Sequence, residues 1–204
     1  MQALQQQNDE EMAEIVADFL QDFTVETTPR GAAKILDFRK YLRPETKVFI
    51  TFLPGSDVED TISTAIRLRR EGFNPIPHLA ARSIPSKTML HQILEKLSNL
   101  AKIEEVLLVA GNMNEPVGEF SDTIQLLETG LFEKFEISRI GVAGHPEGSP
   151  DISDEKIRTA LQWKNEFATK TGLNLHIVTQ FCFEARPIID WERRIFSDGN
   201  RLPI

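Results

Sequence analysis

The sequence predicts an α/β fold built on a parallel sheet, and three observations carry that prediction. Short, almost continuously apolar runs such as Lys47–Phe52 and Glu105–Ala110 recur along the chain, as in strands covered on both faces. Between them lie longer stretches of helical period, the crossovers that parallel neighbours require. At least five successive runs stop at polar side chains, which places a ring of chemistry at one end of the sheet. That ring suits a (β/α)8 TIM barrel better than an open doubly wound sheet, whose ligand crevice is confined to one switch point. No G-x-G-x-x-G follows the first run and no P-loop is present, which disfavours a dinucleotide-binding sheet.

The elements follow in order. Asn8 or Asp9 is expected to cap a first helix through about Phe19, with Met12, Ile15, Val16 and Phe19 on one face. Asp22–Glu26 reads as a strand, followed by a helix over about Gly31–Tyr41. Lys47–Phe52 is a strand, with a helix over about Val58–Arg70. Asn74–Leu79 is a strand, with a helix over about Ser86–Leu100. Glu105–Ala110 is a strand, with a helix over about Glu119–Thr129. Arg139–Ala143 is a strand, with a helix over about Asp154–Thr171. Leu175–Thr179 is a strand, with a helix over about Pro187–Phe196, and Leu202-Pro-Ile204 begins another strand. Residues 1–204 thus read as one domain: an N-terminal helix, about six βα units and the start of strand seven. A closed barrel needs about eight strands. The chain is therefore expected to be a fragment, or a barrel lacking its last two βα units, with an open sheet edge.

The net charge of −8 disfavours nucleic acid or an anionic membrane surface as partner. The single cysteine, Cys182, forms no internal disulfide, which fits a reducing compartment. The N-terminus MQALQQQNDEEMAEI is too polar for a signal peptide, and no apolar run approaches the ~20 residues of a membrane span. The expectation is a cytoplasmic protein with a small-molecule substrate; homo-oligomerisation is left open.

The strand ends supply the candidate site. The first ends at Glu26, the second contains Thr51, and the third ends at Pro77-His78 with Arg82 and Ser83 beyond. The fourth ends at Ala110-Gly111-Asn112, the fifth at Gly144-His145-Pro146-Glu147, and the sixth at Gln180. Each has a plainer reading. Glu26 would pair with Arg30, the two histidines would be structural, and Gly111 and Gly144 would only relieve crowding. Gln180 is harder to dismiss, because a buried amide needs partners and offers several bonding sites. There is no Ser-His-Asp arrangement and no strand-end lysine for a Schiff base. A carboxyl group, two histidines, Asn and Gln instead suit a polar heterocycle and proton transfer to it. A metal-dependent lyase or hydrolase using Glu26, His78, His145 and Glu147 is a rival, but no paired ligand spacing supports it.

The segments Phe23-Thr-Val-Glu26-Thr-Thr-Pro29, Ile76-Pro-His78-Leu79, Val142-Ala-Gly-His145-Pro-Glu147-Gly148 and Val178-Thr-Gln180-Phe-Cys-Phe183-Glu184 resemble, in order and spacing, the methylenetetrahydrofolate reductase family. The resemblance spans about residues 20–204. It implies a (β/α)8 flavoprotein of one-carbon metabolism that uses FAD, with NAD(P)H as hydride donor, on a tetrahydrofolate derivative. It implies that Glu26 protonates the folate and that Gln180 and Phe181 hold it. It further implies that Thr51, His78, Gly111, Asn112 and His145 contact FAD and that Lys164 lies near the FAD phosphates; no metal is implied. The chain departs from the family at Asn112, where the family carries an acid beside the flavin pyrimidine. It also has His145 for a usual tyrosine, Ser149 for a histidine, and Thr27-Thr28 for two apolar residues. Loss of the acid is expected to alter the flavin potential. A folate-binding or regulatory barrel that has lost flavin is the non-enzyme alternative.

Overall fold

The computed structural model describes residues 2–53 and 55–204. Strands β1 (Thr24–Thr27), β2 (Lys47–Ile50), β3 (Asn74–Ala80), β4 (Glu105–Val109), β5 (Arg139–Gly144) and β6 (Asn174–Thr179) form one sheet. All neighbours are parallel, and the strand order is sequential from β1 to β6. A doubly wound sheet reverses its order at a switch point, and this one does not. With right-handed crossovers, sequential order puts every connecting helix on the same face, so the sheet curls into a half-barrel. Among the described residues the sheet has six strands and does not close into a complete barrel. The seventh strand is foreshadowed by one bond, in which the Ile177 amide donates to the Pro203 carbonyl at 2.7 Å. Residues 201–204 nevertheless form no assigned strand.

Alternation along the strands separates two faces. Val48, Ile50, Val106, Leu108, Ile140, Val142, Leu175 and Ile177 are fully buried in the core shared with the helices. The other face carries Phe49, His78, Glu105, Leu107, Gly141 and His176. There Phe49 meets His78 edge-on at 5.8 Å. A Cβ on Gly141 would sit 3.0–3.4 Å from Leu107, Val178 and His176, so the inner face is packed too tightly there for a side chain.

The helices α3 (Val58–Arg70), α4 (Lys87–Ala101), α7 (Asp154–Thr171) and α8 (Ala185–Ser197) follow β2, β3, β5 and β6. Asp57, Ser86 and Ser153 cap the first three through side-chain oxygens. Helix α4 shows how the outer layer is held. Leu90, Ile93, Leu94, Leu97 and Ala101, spaced on one face, are all buried. Each large apolar side chain among them contributes about 1.5–3 kcal/mol.

Three expectations need correction. The first helix, α1 (Gln2–Phe19), begins before Asn8 and Asp9. Its face of Met12, Ile15, Val16 and Phe19 is exposed rather than packed; Met1 lies outside the described residues. Gly31–Tyr41 is not one helix but a turn of helix, α2 (Pro29–Ala32), and a 3₁₀ turn at Phe38–Lys40. The Arg67 guanidinium takes the Ala32 and Ile35 carbonyls, and Glu71 accepts from the Phe38 amide at 3.2 Å. Those long-range bonds break the local ladder, so tertiary contacts override propensity. The helix expected over Glu119–Thr129 shortens to α5 (Thr123–Leu127), and a separate turn of helix, α6 (Leu131–Lys134), follows it. The loop ahead of α5 is tied elsewhere. Arg82 donates to the Met113 and Ser121 carbonyls, and the Glu119 amide donates to Pro85.

Candidate active site

The C-terminal ends of the strands form the mouth of the half-barrel, and the candidate groups fall into two clusters on it. The first joins β1, β2 and β3. Glu26, exposed on β1, accepts a hydrogen bond at 2.5 Å from the hydroxyl of Thr51, the residue directly after β2. The Thr51 amide donates to the Thr27 carbonyl at 2.8 Å, so the backbone ladder sets the side-chain pair. Glu26 therefore bonds to Thr51 and not to Arg30. His78 is buried within β3, and its Nε2 has no hydrogen-bond partner among the described residues. Burial pushes the His78 pKa below its usual value, and the Glu26 charge only partly opposes this. Burial thus favours the uncharged ring, and its Nε2 is uncommitted.

The second cluster joins β5, β6 and α7. The Gln180 amide nitrogen of the main chain donates to Gly144 at 3.0 Å, placing the Gln180 side chain beside His145, where it is exposed rather than buried as expected because it lies past the last residue of β6. The His145 pKa is lowered, first by burial and then by the Lys164 charge, while the Gln180 side chain favours the charged form. Its Nδ1 is buried without a hydrogen-bond partner among the described residues. Lys164 is buried in α7, and burial lowers its pKa to about 8 against a modest pull from Asp122. Among the described residues no carboxylate lies within ion-pair distance of it. A buried ammonium without a counter-charge is costly, and an anionic ligand would relieve that cost.

Between the clusters, Gly111 follows β4 with a φ of +87°, and a Cβ there would lie 3.3 Å from that of Ala80. A side chain would be both strained and crowded, so glycine here is a requirement of the turn. Asn112 is exposed beside it. Beyond Gln180, Phe181 and Phe183 are 84% and 89% exposed, their rings edge-on at 4.7 Å. Two cavities adjoin the site. His78 lines one of about 190 Å³ with Phe52, Ala80, Ser83 and Met89, and His145 lines one of about 390 Å³ between α7 and α8. Neither is lined by Glu26 or Gln180.

These residues suit a flavin dinucleotide on their own chemistry. Two orphaned histidine nitrogens can bond a polar ring, a glycine allows close backbone approach, and Lys164 offers a buried charge to a diphosphate. Among the described residues no three His, Cys, Asp or Glu side chains gather as a metal site requires. No helix there is long and apolar enough to cross a membrane.

One cluster escaped the sequence reading. Glu105 on β4 accepts from Lys47 of β2 at 2.8 Å and lies 3.1 Å from His176 of β6 and 3.7 Å from Arg139 of β5. Burial would raise the Glu105 pKa, but hydrogen bonds from His176 and Lys47, with the charges of Lys47 and Arg139, hold it at about 2. Three of the four residues begin their strands, so the cluster lies at the end opposite the mouth. The signal was available: a charged residue opens each of β2, β4 and β5.

Compared with protein-family models, the chain matches none.

Proposed function

We propose that this protein is a flavin-dependent oxidoreductase that interconverts 5,10-methylenetetrahydrofolate and 5-methyltetrahydrofolate, on a barrel of the methylenetetrahydrofolate reductase type. The observation that carries the reading is the Glu26 carboxyl group, exposed at the mouth, hydrogen-bonded by Thr51 and set beside a buried His78 whose charged form burial disfavours. The four strand-end segments give it a chemical context.

FAD would be held by Thr51, His78, Gly111, Asn112 and His145, with Lys164 toward its phosphates. When bound, it supplies hydride transfer, taken from NAD(P)H and passed to the folate. The remaining steps belong to the chain. Thr51 commits Oε1 of Glu26, which leaves Oε2 to take up a proton from water and pass it to the folate nitrogen released when the five-membered ring opens. Gln180 offers an amide donor and acceptor to the pterin edge. Phe181 supplies an exposed flat surface beside it, and such a ring stacks on an aromatic ligand. Burial disfavours a charged His78, so its ring is better placed to bond a ligand ring atom than to compete for the Glu26 proton.

Substitution of the acid tests the assignment. Glu26→Gln should retain NAD(P)H-dependent bleaching of bound flavin while folate reduction falls by about 10²–10⁴, the usual worth of a general acid. Equal folate reduction by variant and wild type would remove Glu26 from the role.

A further inference from the structure

The cavity of about 390 Å³ between α7 and α8 is not part of the mouth, and its occupancy does not depend on the proposed activity. Its size is in the range of small-molecule sites. Helices α3 and α4 pack against each other, whereas α7 and α8 make much less contact and leave this groove between them. The floor is apolar: Trp191 and Ile195 of α8 and Leu161 of α7, all buried. Trp191 is pinned from beneath, since a Cβ on Gly144 would lie 2.9 Å from its ring.

The walls are charged with both signs, and the signs are not paired. Arg158 of α7 and Arg194 of α8 face the groove from opposite helices. Neither makes an ion pair within 4 Å among the described residues. Acceptors collect where α7 meets the segment after α8. Asn165 bonds Gly199 and Arg201 there, and Glu166, Asp198 and Asn200 line that end. The Asn200 Oδ1 is buried and accepts from nothing among the described residues. A buried acceptor left open is unusual and calls for a donor. Guanidinium groups from two helices match a carboxylate, and the acceptor end matches an ammonium.

We infer that the α7–α8 groove binds a free amino acid with an apolar side chain. The carboxylate lies between Arg158 and Arg194, the ammonium lies toward Asp198 and Asn200, and the side chain rests on Trp191. His145 closes one end, so the groove and the mouth share a wall.

Trp191 is also the reporter. The chain has two tryptophans, and Trp163→Phe leaves Trp191 alone. Emission of that variant is titrated with L-phenylalanine, 3-phenylpropionate and 2-phenylethylamine, which share a body and differ in charge. L-Phenylalanine should give a saturable change, with each singly charged analogue at least tenfold weaker. Arg158→Gln with Arg194→Gln should weaken L-phenylalanine at least tenfold. Both arginines are exposed, so the melting temperature should stay unchanged and affinity alone should move. A missing saturable response, an analogue binding as well as the amino acid, or arginine variants with unchanged affinity would each overturn the inference.

Discussion

Replacing Glu105 by Gln should destabilise the fold in a pH-dependent way. Lowering the carboxyl pKa from 4.5 to about 2, at about 1.4 kcal/mol per pH unit, corresponds to roughly 3 kcal/mol of stability at neutral pH. Lys47 and Arg139 are 37% and 44% exposed, and solvent screens them, so about 2 kcal/mol is the better expectation. The sign follows from linkage. A carboxyl group with a depressed folded pKa contributes fully above its unfolded value and loses that contribution as pH falls toward the folded one. Urea unfolding of wild type and Glu105→Gln, followed by circular dichroism, reads this directly. At pH 7 the variant should be about 2 kcal/mol less stable, and by about pH 3 more than half of that gap should have closed. A gap that stays the same at both pH values would refute the assignment of the cluster as an ionic tie across β2, β4, β5 and β6.

Other perturbations give independent readings. Lys164→Met removes a buried ammonium whose pKa is lowered to about 8; a depressed lysine costs stability wherever both states hold the proton. The variant should be more stable at pH 7 by about 2 kcal/mol, and this advantage should fade between pH ~8 and ~10.5. A lower melting temperature at pH 7 would contradict the burial argument. A Cβ on Gly118 would lie 1.8 Å from the Pro85 carbonyl oxygen, which no side-chain motion relieves. Gly118→Ala should therefore cost at least about 2 kcal/mol and raise hydrogen exchange in residues 112–121; unchanged protection there would argue against the tether. Thr51→Val keeps the shape but removes the donor to Glu26. Folate reduction should fall about tenfold with the melting temperature unchanged, and an unaffected rate would show that the 2.5 Å bond does not position the acid.

The sequence exposed the sheet and the longer helices because their signals are local. The nearly unbroken buried run of β4, Glu105–Val109, and the Ser153 cap ahead of α7 lie in consecutive residues, and α7 spans Asp154–Thr171 as expected. The segments that misread depend on distant partners. Nothing between Gly31 and Tyr41 announces that Arg67 will claim two of its carbonyls, and nothing near Glu119 announces Arg82. The candidate residues at the mouth were legible because strand ends collect on one rim. Their partners were not: the bond between Thr51 and Glu26 needs β1–β2 register, and the buried state of Lys164 needs the outer layer in place. The Glu105 cluster was overlooked because strand starts in a barrel read as stability rather than chemistry.

The most direct measurement of the central claim is a half-reaction pair on protein reconstituted with FAD, followed under anaerobic conditions at about 450 nm, a wavelength where oxidised flavin absorbs. NAD(P)H should bleach the band, and 5,10-methylenetetrahydrofolate should then restore it as 5-methyltetrahydrofolate forms. A protein that stays colourless after incubation with FAD, or a bleached band that the folate does not restore, would contradict the account.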